Sequence, residues 1–458
     1  MNPARAGPLR SPPESAPAAR IPRTLVGLLD PALLVVGWIL LWAFESHAVE
    51  ADGAFRYAAL RELIEQGRWS PTSFPLVGTL FSAPLYLLGR WLGSPEWWVA
   101  RYNIVLAAIG LPLLWRLLRT RVEPPVLGGF LLLLLAGSML THQLSAYGAE
   151  TFNVLALGVG LAAWTGGRQV LGGIALALGM ANVPATSVGV ALALGDWGVR
   201  HRRLRALVPL VGFALLWLGE NWLRRGHPLV TGYEQNFGYR TLLPYSGRPN
   251  FSYPLVLGVL QLLLSFGKGL LFFAPGLFLV FPAARRALRP VRPFQRACLW
   301  VVAGLLLVYG QWWAWYGGYS WGPRFLVFAA IPASLRLAAE CTHAPRRALA
   351  LLAVLGALLL ALWGGFDGAM LRFWRQEVCT ASGYAVEAFC WDVPEFSVLV
   401  TPFIWTPQLT TGGWLLLAYA LLLAVRLGWT PARALGRRVA ELASAAVRGW
   451  RHGPRLGF

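Results

Sequence analysis

Apolar residues in this chain do not alternate with polar ones. They come in nearly unbroken runs separated by short clusters of arginine, proline and glycine. A run of about 20 apolar residues is what a helix needs to cross the hydrocarbon core of a bilayer. The runs are Pro31–Phe44 (reaching back to Leu25), Val99–Leu118, Pro125–His142, Gly148–Trp164, Val170–Ala181, Val183–Val199, Leu204–Trp222, Gly269–Pro282, Ala297–Trp313, Phe325–Leu337, Ala348–Phe366 and Trp414–Val425. They predict twelve spans with both termini on one face. The fold class expected is therefore all-α, a polytopic membrane protein.

The intervening segments fill in the organisation. Glu45 to Trp98 holds apolar pieces too short or too proline-rich to span, and predicts a long first outer loop carrying interfacial helices. Outer loops are also expected over 223–268 and 367–413, with a tight hairpin at Asn182–Pro184. Residues 1–29 read as a disordered basic cytoplasmic tail, residues 30–428 as the transmembrane domain, and residues 429–458 as a basic amphipathic cytoplasmic tail. Ser46 and Ala48 form a small-x-small site, so the first run could also be a secretory signal; the long tail before it and the spans after it favour an anchor.

Composition narrows the class. The 458 residues are 57% hydrophobic and only 13% charged, which excludes an ordinary soluble enzyme, a disordered chain and a small disulfide scaffold. The 40 basic residues outnumber the 20 acidic ones, and Lys268 alone is a lysine. Nucleic acid is one partner of so basic a chain, but the arginines cluster between apolar runs, as the positive-inside pattern requires. The predicted cytoplasmic segments hold 27 basic and 6 acidic residues, so the topology absorbs the whole charge excess and leaves no nucleic-acid surface to explain. Cys379 and Cys390 share the last outer loop, where an oxidising compartment permits a disulfide; two unpaired thiols are the alternative. Cys298 and Cys341 read as small apolar fillers.

Candidate chemistry lies at span ends on the outer face. Glu50 and Asp52 make an acid-x-acid pair just beyond the first span, and Asp52 opens a helical pattern with Arg56 one turn on. An Asp52–Arg56 ion pair is expected to hold the carboxylate ionised, with a simple N-cap as the alternative. His142 and Glu150 flank the turn HQLSAYGAE, Tyr233 and Arg240 lie in NWLRRGHPLVTGYEQNFGYR, Lys268 in SFGKGLLFFAPG, and Arg324 in WWAWYGGYSWGPRF. Trp315, Tyr316, Tyr319 and Trp321 read either as an interfacial belt or, with His142 and Tyr233, as walls of a cleft for a sugar or lipid headgroup. Gly317, Gly318 and Gly322–Pro323 predict a non-helical turn that fixes Arg324 at a helix start, a place suited to phosphate. The spans carry few charges, which disfavours an ion-coupled carrier. NTPase, zincin and G-x-S-x-G hydrolase motifs are absent.

Taken together, the acid-x-acid pair, the long first outer loop and the dozen spans resemble the GT-C superfamily of membrane glycosyltransferases, which includes protein O-mannosyltransferases and bacterial aminoarabinose transferases. The segments NWLRRGHPLVTGY, GKGLLFFAPG and WYGGYSWGPRFL are similar to stretches of lipopolysaccharide-core transferase-type bacterial proteins, and the resemblance covers about residues 30–410. It implies a sugar transferred from a polyprenyl-phosphate donor to a lipid or glycan acceptor at the periplasmic face of a bacterial inner membrane. It also implies Asp52 as general base, Glu50 orienting it or sharing a divalent cation (Mg or Mn), and Glu150 as a second acid. Arg324 and Lys268, followed by Arg56, Arg101 and Arg240, are then the expected cations for the lipid phosphate. Single displacement implies inversion. No separate outer domain follows the last span, which favours a lipid or glycan acceptor over a protein. A lipid or glycan flippase is the alternative function.

Overall fold

The computed structural model describes residues 23–44, 47–234, 240–242, 246–279, 282–318, 320–343, 347–356, 385–386, 389–400, 404 and 410–451. All regular structure there is helical, apart from one parallel bridge between Ala48 and Ala146. The longer helices are α1 (Arg23–Phe44), α2 (Asp52–Gln66), α3 (Ala83–Leu92), α4 (Tyr102–Leu118), α5 (Pro124–Ala136), α6 (Glu150–Thr165), α7 (Gln169–Asn182), α8 (Thr186–His201), α9 (Val208–Arg225), α10 (Leu255–Leu264), α11 (Arg292–Tyr309), α12 (Ala330–His343) and α13 (Thr411–Arg451).

Among the described residues, five helical stretches are long and apolar enough to cross a membrane: Pro95–Leu118, Leu204–Arg225, Arg289–Tyr309, Arg324–His343 and Thr411–Val447. Leu28–Phe44, Pro124–Ala136, Gln169–Asn182 and Leu255–Leu264 are shorter and equally apolar. The chain is an all-α polytopic membrane protein. At its centre α5 packs on α12 and α1, and α12 packs in turn on α13. The sequence of α5, PPVLGGFLLLLLA, is apolar all round and is buried from Val126 to Ala136, as expected of a helix with no polar face to turn outward.

Three expectations change. The run Gly269–Pro282 is not one span: Leu270–Phe273 is a single turn, Pro275–Leu277 a 3-10 turn, and the preceding helix is α10, inside what was expected to be an outer loop. Ser265 is extended, and Pro275 breaks the helical hydrogen-bond ladder, so the apolar stretch is not one continuous helix. α1 already begins at Arg23, inside the segment expected to be a disordered tail. α13 continues without interruption past 429, because only Pro431 falls there and the helix accommodates it. Residues 1–22, most of 367–413, the end of the Ala348–Phe366 run and 452–458 lie outside the described residues.

Candidate active site

The chain leaves α1 and is caught at once. Ala48 donates to the Ser145 carbonyl at 3.1 Å, and Tyr147 donates back to the Ala48 carbonyl at 3.0 Å. This bridge ties the acid-x-acid segment to the loop that leads into α6. Gly53 donates to the Glu50 carbonyl at 2.8 Å, closing a turn whose second residue, Ala51, has φ 46° and ψ −123°. That backbone region suits glycine, and an alanine held there carries strain of about 1–3 kcal/mol. Gly53 is needed for a different reason: a Cβ there would lie 2.1 Å from the Tyr147 carbonyl oxygen. The first turn of α2 therefore rests directly on the backbone before Glu150.

That second loop is clamped by side chains. Asn103 donates to the carbonyls of Gln143 and Ala146 at 3.0 and 2.5 Å, and Thr151 donates to Gln143 at 3.1 Å. Asn182, at the predicted hairpin, donates to the Ala149 carbonyl at 3.0 Å and accepts from Gly78 N–H at 3.1 Å. Glu150 emerges in the first turn of α6, where the helix dipole favours a carboxylate.

Arg324 comes from a third direction. Gly317, Gly318 and Gly322 have φ of 73°, 72° and 71°, so the predicted glycine turn is present, and Arg324 opens the 3-10 segment leading into α12. Its Nη2 lies 2.9 Å from Asp52 Oδ2, and its Nε lies 3.5 Å from Glu150 Oε1. The second distance is too long for a good hydrogen bond, and Nε is buried without a hydrogen-bond partner. The guanidinium thus joins two carboxylates while keeping one donor unused.

Aromatic groups surround this centre. Tyr233 packs edge-on against Phe74 and Trp312, with centroids 6.3 and 6.2 Å apart. Burial pushes its phenol up; Arg56 opposes this and the Asp52 charge adds to it. Phe55 stacks on Phe74 at 5.8 Å, and Phe251 lies against Trp312 at 5.0 Å, extending the row of rings outward. Tyr309, stacked on Phe325 at 4.2 Å, lies in the field of Glu150 and Arg324.

The other expected site residues are placed differently. Arg56 does not pair with Asp52: it donates to the Pro75 carbonyl at 2.5 Å and lies over the Phe74 ring. In the first turn of α2 the Asp52 side chain points to Arg324, and neither Asp52 nor Ala51 makes a side-chain cap. Lys268 is fully buried, and its ammonium donates to the carbonyls of Gly318 (2.8 Å), Ser320 (2.5 Å) and Gly322 (3.0 Å). An ammonium has three donors, so Lys268 holds the turn that presents Arg324 instead of facing a phosphate.

Arg101 stacks over Trp97 at 3.6 Å and donates to the Trp97 carbonyl, and Arg240 is exposed beside Gly247. Trp315, Tyr316 and Trp321 are 0%, 5% and 3% exposed and pack into the core, so they wall no open cleft. They lie inward because the glycine turn wraps around the buried Lys268. His142 is half-buried, and its carbonyl accepts from Ser145. Glu50 is exposed beside the acid centre. Cys390 is disulfide-bonded and Cys298 and Cys341 are free; Cys379 and Tyr319 lie outside the described residues.

Sequence reading missed the clamp residues and the pairing of Glu220 with Arg224. Arg224 is buried and donates to the carbonyls of Ser70 (2.8 Å), Thr72 (2.7 Å) and Phe74 (2.9 Å), and to Glu220 at 2.5 Å. Glu220 also accepts from Leu76 N–H at 2.7 Å. Together they staple the Phe74 loop to the end of α9. The i,i+4 spacing of Glu220 and Arg224 was the available signal.

No protein-family model matches this chain, and no curated protein matches it either. Among solved structures, ArnT from Cupriavidus metallidurans in the apo state aligns over 90% of this chain and 78% of its own, with a TM-score of 0.52 and 15% identity. The chain has a GT-C fold. The same ArnT bound to undecaprenyl phosphate aligns over 95% of this chain and 82% of its own, with a TM-score of 0.51 and 14% identity.

Proposed function

We propose that this chain is a glycosyltransferase that moves a sugar from a polyprenyl-phosphate donor to a lipid or glycan acceptor. The reaction is placed at the periplasmic face of a bacterial inner membrane. The observation that carries this reading is the meeting of Asp52, Glu150 and Arg324, drawn from three separate parts of the chain. The likeness to an ArnT captured with undecaprenyl phosphate supports the donor class.

The chemistry follows from the charges. Asp52, 2.9 Å from Arg324 and 39% exposed, takes the acceptor hydroxyl proton as that oxygen forms its bond to the anomeric carbon. The anomeric C–O bond to phosphate breaks, and its electron pair leaves on the polyprenyl phosphate. The Arg324 guanidinium, 23% exposed as a side chain, meets the growing phosphate charge, while Asp52 and Glu150 keep it oriented. A single displacement inverts the anomeric carbon.

Among the described residues no three His, Cys, Asp or Glu side chains gather, and both carboxylates of the centre engage Arg324. The positive charge at the leaving phosphate is therefore assigned to Arg324, and no step is routed through a metal. Lys268 acts through the turn it holds.

The test is mass-spectrometric profiling of envelope glycolipids in a deletion strain carrying wild type or Asp52→Asn at matched membrane levels. A sugar restored only by wild type supports the reading. Full restoration by Asp52→Asn overturns it and favours a flippase.

A further inference from the structure

The far end of α13 carries an arrangement unconnected with the acid centre. α13 has 41 residues, about 60 Å at 1.5 Å per residue, roughly twice the ~30 Å core of a bilayer. Pro431 lies within it, about 30 Å from its start, where a helix entering at Thr411 leaves that core. Up to this point the helix is packed, with Pro431 and Ala434 buried and Arg433 over the Trp429 ring at 5.9 Å. From Gly436 to Val447 every residue is exposed.

This exposed segment is two-sided. At about 100° per residue, Arg433, Arg437, Arg438 and Glu441 share one half of the helix, and Leu435, Val439, Leu442 and Val447 share the other. Val439, Leu442 and Val447 are 59%, 72% and 53% exposed. A second copy docked along this face would bring the flanking arginines together, like charge beside like charge. An anionic lipid surface complements both halves.

We propose that the part of α13 beyond Pro431 is a membrane-surface helix. The helix runs unbroken through Pro431 in this structure; on a bilayer it bends there and lies along the anionic leaflet at its own end of the span. Proline supplies no N–H to the helical ladder, which makes this the point where a bend is least costly. The preceding span holds the segment at the bilayer, so lying down needs no separate association step. Val439, Leu442 and Val447 then enter the acyl boundary, and the arginines meet headgroup phosphates. Each arginine favours an anionic surface by roughly fivefold, so Arg433, Arg437 and Arg438 together give about a hundredfold.

The test uses the full chain with Val439→Cys carrying an environment-sensitive fluorophore; the native free thiols Cys298 and Cys341 are buried. The protein is placed in nanodiscs of phosphatidylcholine alone or mixed with phosphatidylglycerol. The expected result is a blue shift and a fivefold or greater drop in aqueous quenching only in the anionic discs. Added salt, or Arg433→Gln with Arg437→Gln and Arg438→Gln, reverses it. Equal quenching in both lipids overturns the proposal, as does protection that grows with protein concentration in detergent, which would indicate a second copy. Leu442→Cys gives an independent second label position on the same face.

Discussion

Two carboxylate–arginine contacts occupy different parts of this molecule and are built differently. Asp30 of α1 and Arg426 of α13 form a closed pair: Nε and Nη2 reach the two carboxylate oxygens at 2.7 and 2.8 Å, and Asp30 is 4% exposed. The α5 backbone walls the pair, since a Cβ on Gly128 would lie 1.9 Å from Asp30 Oδ2. Arg324 is shared instead between Asp52 and Glu150 and retains an unpartnered Nε–H, and the Asp52 side chain is 39% exposed. A pair that closes on both carboxylate oxygens joins helices. A centre that leaves a donor unused and a carboxylate open to solvent is arranged to receive something.

The largest effect expected from this contrast is on turnover. Asp52→Asn keeps the shape and removes the base, so sugar transfer by the purified protein should fall about 10²–10⁴-fold. Its thermal unfolding temperature should stay close to wild type. Asp30→Ala should show the reverse. Breaking a buried pair costs about 3–5 kcal/mol, which denaturation in detergent will read, while transfer per folded molecule is unchanged. If Asp30→Ala lowered turnover without lowering stability, the distinction between the two pairs would be lost.

Lys268→Met sharpens the comparison from the side of support. It leaves the carbonyls of Gly318, Ser320 and Gly322 without their shared donor, which costs about 1–3 kcal/mol. Transfer should weaken more than this loss of stability explains, through misplacement of Arg324, with kcat falling and donor binding reduced less than in an Arg324 variant. Equal kcat in Lys268→Met and wild type would separate the turn from the site. The smallest effect is at Ala51: glycine adopts its backbone angles without strain, so Ala51→Gly should stabilise by about 1 kcal/mol in chemical denaturation, or less where glycine's extra unfolded-state freedom offsets the gain. A loss of stability there would show that Ala51 is not strained.

The helical architecture was legible because hydropathy runs report burial in lipid directly, and the glycine turn before Arg324 was legible because Gly317, Gly318 and Gly322 have few other uses in such tight succession. Partners were harder to read. Arg56 looked like a partner for Asp52 and Lys268 like a cation for phosphate, yet both are taken by backbone carbonyls, those of Pro75 and of the turn from Gly318 to Gly322. The aromatic tract around Trp315 and Trp321 has the composition of an interfacial belt, yet the structure buries both rings beside the turn that Lys268 holds. Asn103 and Asn182, which position Glu150, carried no local signal, because a clamp is defined by the carbonyls it reaches.

The most direct test compares the two arginines. Affinity for polyprenyl phosphate alone should be measured in nanodiscs for wild type, Arg324→Lys and Arg426→Lys. Lysine keeps the charge and removes the fork, so Arg324→Lys should weaken binding about 10-fold or more, while Arg426→Lys should bind as wild type does once folded. Equal affinity in all three proteins would contradict the assignment of Arg324 to the lipid phosphate.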